Sequence, residues 1–175
     1  MQSRISLWII TLSVLTIAPM GLEKAYAVGS CEPLKRLLVL ADTQFKRLRG
    51  FYDPRFQAWV ATYRMPGASI CTIQDAGEIA YYSCKWTHDP KAGTVPEAYR
   101  VLLQQVTRCV DVRASSQHDT GPDTQVTRFG IAGAQKTIVV GKSESTSGGH
   151  FVTLNVVPVG FERMGQTGAP AGSEP

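Results

Sequence analysis

Two stretches of apolar residues recur at helical spacing, and between and after them the chain alternates as strands do. Leu34, Leu37, Leu38, Ala41, Phe45 and Leu48 follow Ser30, an N-cap candidate, and Pro33 in the first turn, and Gly50 closes the run. This predicts a first helix whose outer side carries Lys35, Arg36, Lys46 and Arg47. A second helix opens at Thr94-Val95-Pro96-Glu97, a Thr-x-x-Glu capping box, and its buried stripe is Ala98, Val101, Leu102, Val106 and Cys109.

The clearest strand signal is a hairpin. Residues 69–74 and 79–86 are rich in β-prone side chains and flank Asp75-Ala76-Gly77-Glu78, where Gly77-Glu78 suits a two-residue turn with glycine at positive φ. That register sets Ala76 opposite Ile79, Ile73 opposite Tyr82 and Cys71 opposite Cys84. Alternation then puts Ser69, Cys71, Ile73, Ala80, Tyr82, Cys84 and Trp86 on the core face, and Ile70, Thr72, Gln74, Tyr81, Ser83 and Lys85 on the other. Residues 51–65 read as a connector bounded by Pro54 and Pro66-Gly67, with a short strand or a helical turn near 56–62. After the second helix, residues 111–124 are polar and read as an exposed loop. Strands are expected at 125–132, 136–142 and 150–159, with Gly133-Ala134-Gln135 as a tight turn and residues 143–149 as a mobile Ser/Gly loop. The expected fold is α+β: a single antiparallel sheet with two helices on one face, in the order α-β-β-α-β-β-β. The order suggests two αββ halves, although no sequence repeat accompanies it.

Both ends of the chain differ from this middle. Arg4 precedes an apolar run over residues 5–18, and Ala25-Tyr26-Ala27 has the form of a cleavage site, so residues 1–27 read as a signal peptide. The run is shorter than the roughly 20 residues a membrane-spanning helix needs. Residues 28–159 form one domain, and 160–175, with little but glycine, proline and small polar residues, read as a disordered tail. Val28-Gly29-Ser30-Cys31 loosely resembles a lipoprotein box, but it stands well away from the apolar run. The expected location is the periplasm or the exterior.

All four cysteines lie in the mature chain, and an even count in an exported chain favours two disulfides. The hairpin register pairs Cys71 with Cys84. Antiparallel helices on one sheet face bring the start of the first to the end of the second, which pairs Cys31 with Cys109. A four-cysteine zinc site is the alternative, but there is no Cys-x-x-Cys spacing to support it.

No catalytic, cofactor or metal set stands out. Gly141-Lys142-Ser143 looks like the tail of a phosphate-binding loop, yet Lys136 occupies the position where such a loop has its first glycine. His88-Asp89 and His118-Asp119 are adjacent pairs in turn-like contexts, and adjacency in sequence makes no proton relay. His150 follows Ser143, Ser145 and Ser147, which together would be the site of a small extracellular hydrolase. Charge is regional. Residues 28–66 carry seven basic and three acidic side chains, and residues 67–175 carry nine and ten. Among the basic residues of 28–66 stand Phe51, Tyr52, Phe56, Trp59 and Tyr63, residue types found at interface hot spots.

The sequence therefore points by elimination to an exported, non-catalytic binding module: an inhibitor, immunity or accessory protein that docks a protein partner, favouring an acidic one. Its expected contact residues are Arg47, Arg49, Arg55, Trp59, Tyr63 and Arg64, with the 143–149 loop as a second, weaker site. An anionic lipid or polysaccharide of the envelope is the further alternative ligand. Nucleic acid is not expected outside the cytoplasm.

Overall fold

The computed structural model describes residues 30–76, 78–89, 92–121, 123–145 and 149–159, with backbone alone for 118–121 and 145. The expected signal peptide, the expected disordered tail and the glycine of the Gly77-Glu78 turn lie outside the described residues. In chain order the elements are α1 (Glu32–Ala41), a 3-10 turn (Lys46–Leu48), β1 (Arg49–Asp53), β2 (Ala58–Ala61), β3 (Ile70–Ala76) and β4 (Ile79–Thr87), followed by α2 (Val95–Cys109), β5 (Val112–Gly121), β6 (Thr124–Ile131), β7 (Thr137–Ser145) and β8 (Gly149–Val157). All eight strands form one antiparallel sheet in the order β1-β2-β3-β4-β8-β7-β6-β5. The sheet is larger than expected, and the order is α-ββββ-α-ββββ in place of α-β-β-α-β-β-β. Each half is a helix followed by a four-strand meander, and the halves join where β4 pairs with β8.

The β3–β4 register agrees residue for residue with the expected one, from Ile70 opposite Lys85 to Ala76 opposite Ile79. Cys71, Ile73, Ala80, Tyr82, Cys84 and Trp86 are buried, as alternation requires, and they share their face with Val152, Leu154, Val156, Ile138, Val140 and Phe129 across the ladder. Both helices cover that face. Phe45, just beyond α1, stacks on Tyr82 with ring centroids 5.8 Å apart, and Tyr99 of α2 shares a 2.7 Å hydrogen bond with Thr127 of β6. The disulfides are Cys31–Cys109, joining the start of α1 to the end of α2, and Cys71–Cys84 within the hairpin. They fit an extracellular or periplasmic location.

Four expectations need correction. The first helix ends at Ala41 and does not run on to Leu48. Gln44 and Phe45 adopt left-handed φ of 50° and 54°, which turns the chain so that Phe45 and Leu48 enter the core from a new direction. Burying those two side chains stabilises by about 3–6 kcal/mol, against about 1–2 kcal/mol for each left-handed residue. The turn wins. Second, the connector holds a short strand, β2, near 56–62, one of the two forms left open there, but an unexpected strand, β1, precedes it and pairs with it as a hairpin. Gly50 sits at a bulge between Arg49 and Tyr52, where a Cβ would lie 2.7 Å from the Val60 carbonyl oxygen. Third, the polar stretch read as a loop is strand β5, which borrows its order from β6. Fourth, β7 runs through Ser145 and β8 begins at Gly149, so 143–145 and 149 of the expected Ser/Gly loop are strand.

The second helix starts and ends as expected, and Val95 and Tyr99 join its buried stripe while Val101 is half-buried. Its capping box does not form. Thr94 makes no side-chain cap bond, and its hydroxyl lies 3.0 Å from His88 Nδ1, while Glu97 binds Arg100. Ser30 does accept a bond from the Glu32 N–H at 3.2 Å.

Candidate docking surface

The residues that the charge pattern singled out lie toward one edge of the sheet, where β1 is the outermost strand among the described residues. Trp59 on β2 lies opposite Ile73 on one side and Tyr52 on the other, so the helix-covered face continues outward to the edge. Tyr52 meets Trp59 edge-on, with centroids 5.4 Å apart and planes at 70°. Arg49 lies over the Trp59 ring at 5.7 Å and binds Asp75 through both guanidinium nitrogens, at 2.6 and 3.2 Å. Its charge is thereby neutralised inside the molecule. Tyr63 is half-buried, with Arg36 over its ring at 4.8 Å, and its carbonyl accepts from the Tyr82 hydroxyl at 2.9 Å.

The β1–β2 turn is built from Asp53-Pro54-Arg55-Phe56-Gln57. The Asp53 carboxylate accepts from the Arg55 N–H at 3.0 Å and from its guanidinium at 2.6 and 3.0 Å, which holds the acid below the ordinary carboxylate range and raises the arginine. Asp53 is 5% exposed and Arg55 79%, so the acid is structural and the cation faces outward over the Phe56 ring. Arg47 is exposed on the 3-10 turn, and Arg64 is exposed with a long 3.5 Å bond to the Ser69 carbonyl.

Three residues that were counted with the aromatics but not chosen as contacts are the most exposed apolar side chains here: Phe51 at 67%, Tyr52 at 50% and Phe56 at 49%. Tyr52 continues the helix-covered face that Ile73 and Trp59 define, Phe51 points to the opposite face, and Phe56 stands in the turn, so strand alternation does not mark all three as exposed. Of the six expected contacts, Arg47, Arg55 and Arg64 are exposed cations, and Arg55 lies over the exposed Phe56 ring. Arg49, Trp59 and Tyr63 serve mainly to brace this edge.

The other candidates separate. Ser143 lies opposite Phe151, and His150 lies opposite Glu144, so Ser143 and His150 occupy opposite faces of the β7–β8 hairpin. The side chains of Ser145, Ser147 and His118 lie outside the described residues. His88 is buried, and burial lowers its pKa. Gly141-Lys142-Ser143 is mid-strand, with no helix start to cradle a phosphate. A cleft of about 470 Å³ lies beyond the end of α1, lined by Asp42, Gln44, Ile79, Gln135, Lys136 and Pro158, with a 2.8 Å Lys136–Asp42 ion pair in its wall. Among the described residues, no helix is long and apolar enough to cross a membrane, and no three His, Cys, Asp or Glu side chains cluster as a metal site. Comparison with protein-family models, curated proteins and solved structures finds no match to this chain.

Proposed function

We propose that this protein is an exported, non-catalytic binding module that docks a protein partner through the β1–β2 edge. The observation that carries the reading is the exposure of Phe51, Tyr52 and Phe56 on and beside β1, the outermost strand of the sheet among the described residues. An edge strand offers main-chain hydrogen bonds to an added strand, and flanking aromatics supply anchors. Arg47, Arg55 and Arg64 favour an acidic partner and steer it electrostatically. β2 pairs with β3 of the cross-linked hairpin, and ordering this edge beforehand lowers the cost of binding. The reading places the mature chain, cleaved after Ala27, in the periplasm or outside the cell.

The test is affinity capture from an envelope extract with the mature, oxidised protein beside its Phe51→Ser/Phe56→Ser variant. A specific acidic protein retained by the wild type, and held at least about 30-fold more weakly by the variant, is expected if each aromatic contributes about 1 kcal/mol or more. Equal retention by both removes the edge as the docking site. His150→Ala is expected to leave capture unchanged.

A further inference from the structure

The sheet face turned away from the helices carries a second surface, distinct from the β1–β2 edge. Across its middle, Ser83 of β4 lies opposite Asn155 of β8, Asn155 opposite Val139 of β7, and Val139 opposite Arg128 of β6. In the adjoining row Lys85 lies opposite Thr153, and Thr153 opposite Gly141. The hydroxyls of Ser83 and Thr153 and the Asn155 amide, with Val139 and Gly141 beside them, thus lie as a floor between two cations three inter-strand spacings apart, about 14 Å across the sheet. Gly141 keeps the floor low, since a Cβ there would meet Thr153 Oγ1 at 2.9 Å.

The charges on this face are not balanced. The strand acids Asp75 and Glu144 point to the helix-covered side and bind Arg49 and Lys142, and Asp53 is held by Arg55 at the far edge. Neither Lys85 nor Arg128 forms an ion pair among the described residues. Lys85 Nζ rests over the Phe151 ring at 3.9 Å. Arg128 is half-buried, and its Nε is enclosed without a hydrogen-bond partner, so no acceptor among the described residues compensates its charge there.

The chemistry of the floor selects the ligand. A membrane surface would call for an apolar wedge or a dense basic cluster, and none of the large exposed apolar side chains lies between β4 and β6. Spaced cations, hydroxyl and amide groups between them, and half-buried Tyr81 and Phe151 rings beside them suit a sugar polymer. We infer that the helix-free face binds an acidic polysaccharide, its uronate carboxylates meeting Lys85 and Arg128 and its hydroxyls meeting Thr153 and Asn155. The contact therefore lies away from Arg47 and Arg49.

The experiment measures retention of the mature, oxidised protein on immobilised polygalacturonate at low salt, with neutral dextran and phosphatidylglycerol vesicles alongside. Binding to polygalacturonate over dextran is expected, with Lys85→Gln and Arg128→Gln each weakening it about tenfold and Phe51→Ser/Phe56→Ser leaving it unchanged. Lys85→Gln keeps the test decisive if Arg128→Gln lowers Tm. Absence of wild-type retention, undiminished retention of Lys85→Gln, preference for the vesicles, or loss in the Phe51→Ser/Phe56→Ser variant would each overturn the inference. The last outcome would transfer the site to the docking edge.

Discussion

β1 and β5 hold equivalent places, each the first strand after its half's helix and each an outer edge of the sheet, yet they present opposite surfaces. β5 is ten residues long and exposes Arg113, Ser115 and Gln117; β1 has five, is bulged at Gly50, and exposes Phe51 and Tyr52. Polar side chains blunt a long edge against unwanted strand pairing, and shortness with a bulge blunts the other by geometry. The second device leaves room for exposed aromatics, because the edge no longer depends on polarity for solubility. One topology thus has a long polar edge in one half and a short aromatic edge in the other.

Several perturbations sharpen that contrast, and the cross-links carry the largest effect. Cys31–Cys109 ties the two halves together across 78 residues, whereas Cys71–Cys84 closes 13 within one half. Loop closure predicts losses of about 4.5 and about 3 kcal/mol when each pair is replaced by alanine. Urea unfolding at matched pH measures both; a costlier loss from the hairpin pair would mean the halves stand independently. Next come the hairpin turns. The aromatic half turns at Gln57 with φ 50°, where the β6–β7 turn of the other half uses Gly133 at φ 69°. Gln57→Gly is expected to stabilise by about 1 kcal/mol, while Gly133→Gln is expected to destabilise by a similar amount. No rise in Tm for Gln57→Gly would show that the strain is relieved elsewhere.

A smaller effect is expected at the seam of the halves. The His88 N–H donates to the His150 carbonyl at 2.9 Å, where the ends of β4 and β8 meet, and burial depresses the pKa of the His88 ring. A histidine whose folded pKa lies below its unfolded value contributes fully above the unfolded pKa, near 6.5. That contribution is lost as pH falls from there toward the folded pKa, because the unfolded chain takes up the proton first. Unfolding free energies at pH 7.5 and pH 5 should show this decline in the wild type and a shallower one in His88→Gln.

Legibility followed burial. The β3–β4 ladder was readable because Cys71, Ile73, Tyr82 and Cys84 alternate onto a buried face, and a period of two with one apolar face permits one register. The Cys31–Cys109 pair was readable because two amphipathic helices on one sheet face have few ways to lie. β1 and β5 carried no such mark, since neither has a fully apolar face of its own. The site shared that difficulty. Its basic and aromatic composition was visible, but Arg49 could not be told from Arg55 until Asp75 and Asp53 were seen to hold them differently.

From its residues alone the chain determines the central hairpin, the second helix, both disulfide partners and the concentration of cations and aromatics in its first third. Each depends on periodicity or spacing between near neighbours. Tertiary structure decided where α1 stops, because Phe45 takes a left-handed turn only for the Tyr82 ring that receives it. It also decided that two unpromising segments become edge strands, because an edge is ordered by the backbone of its neighbour and its own side chains need not be buried.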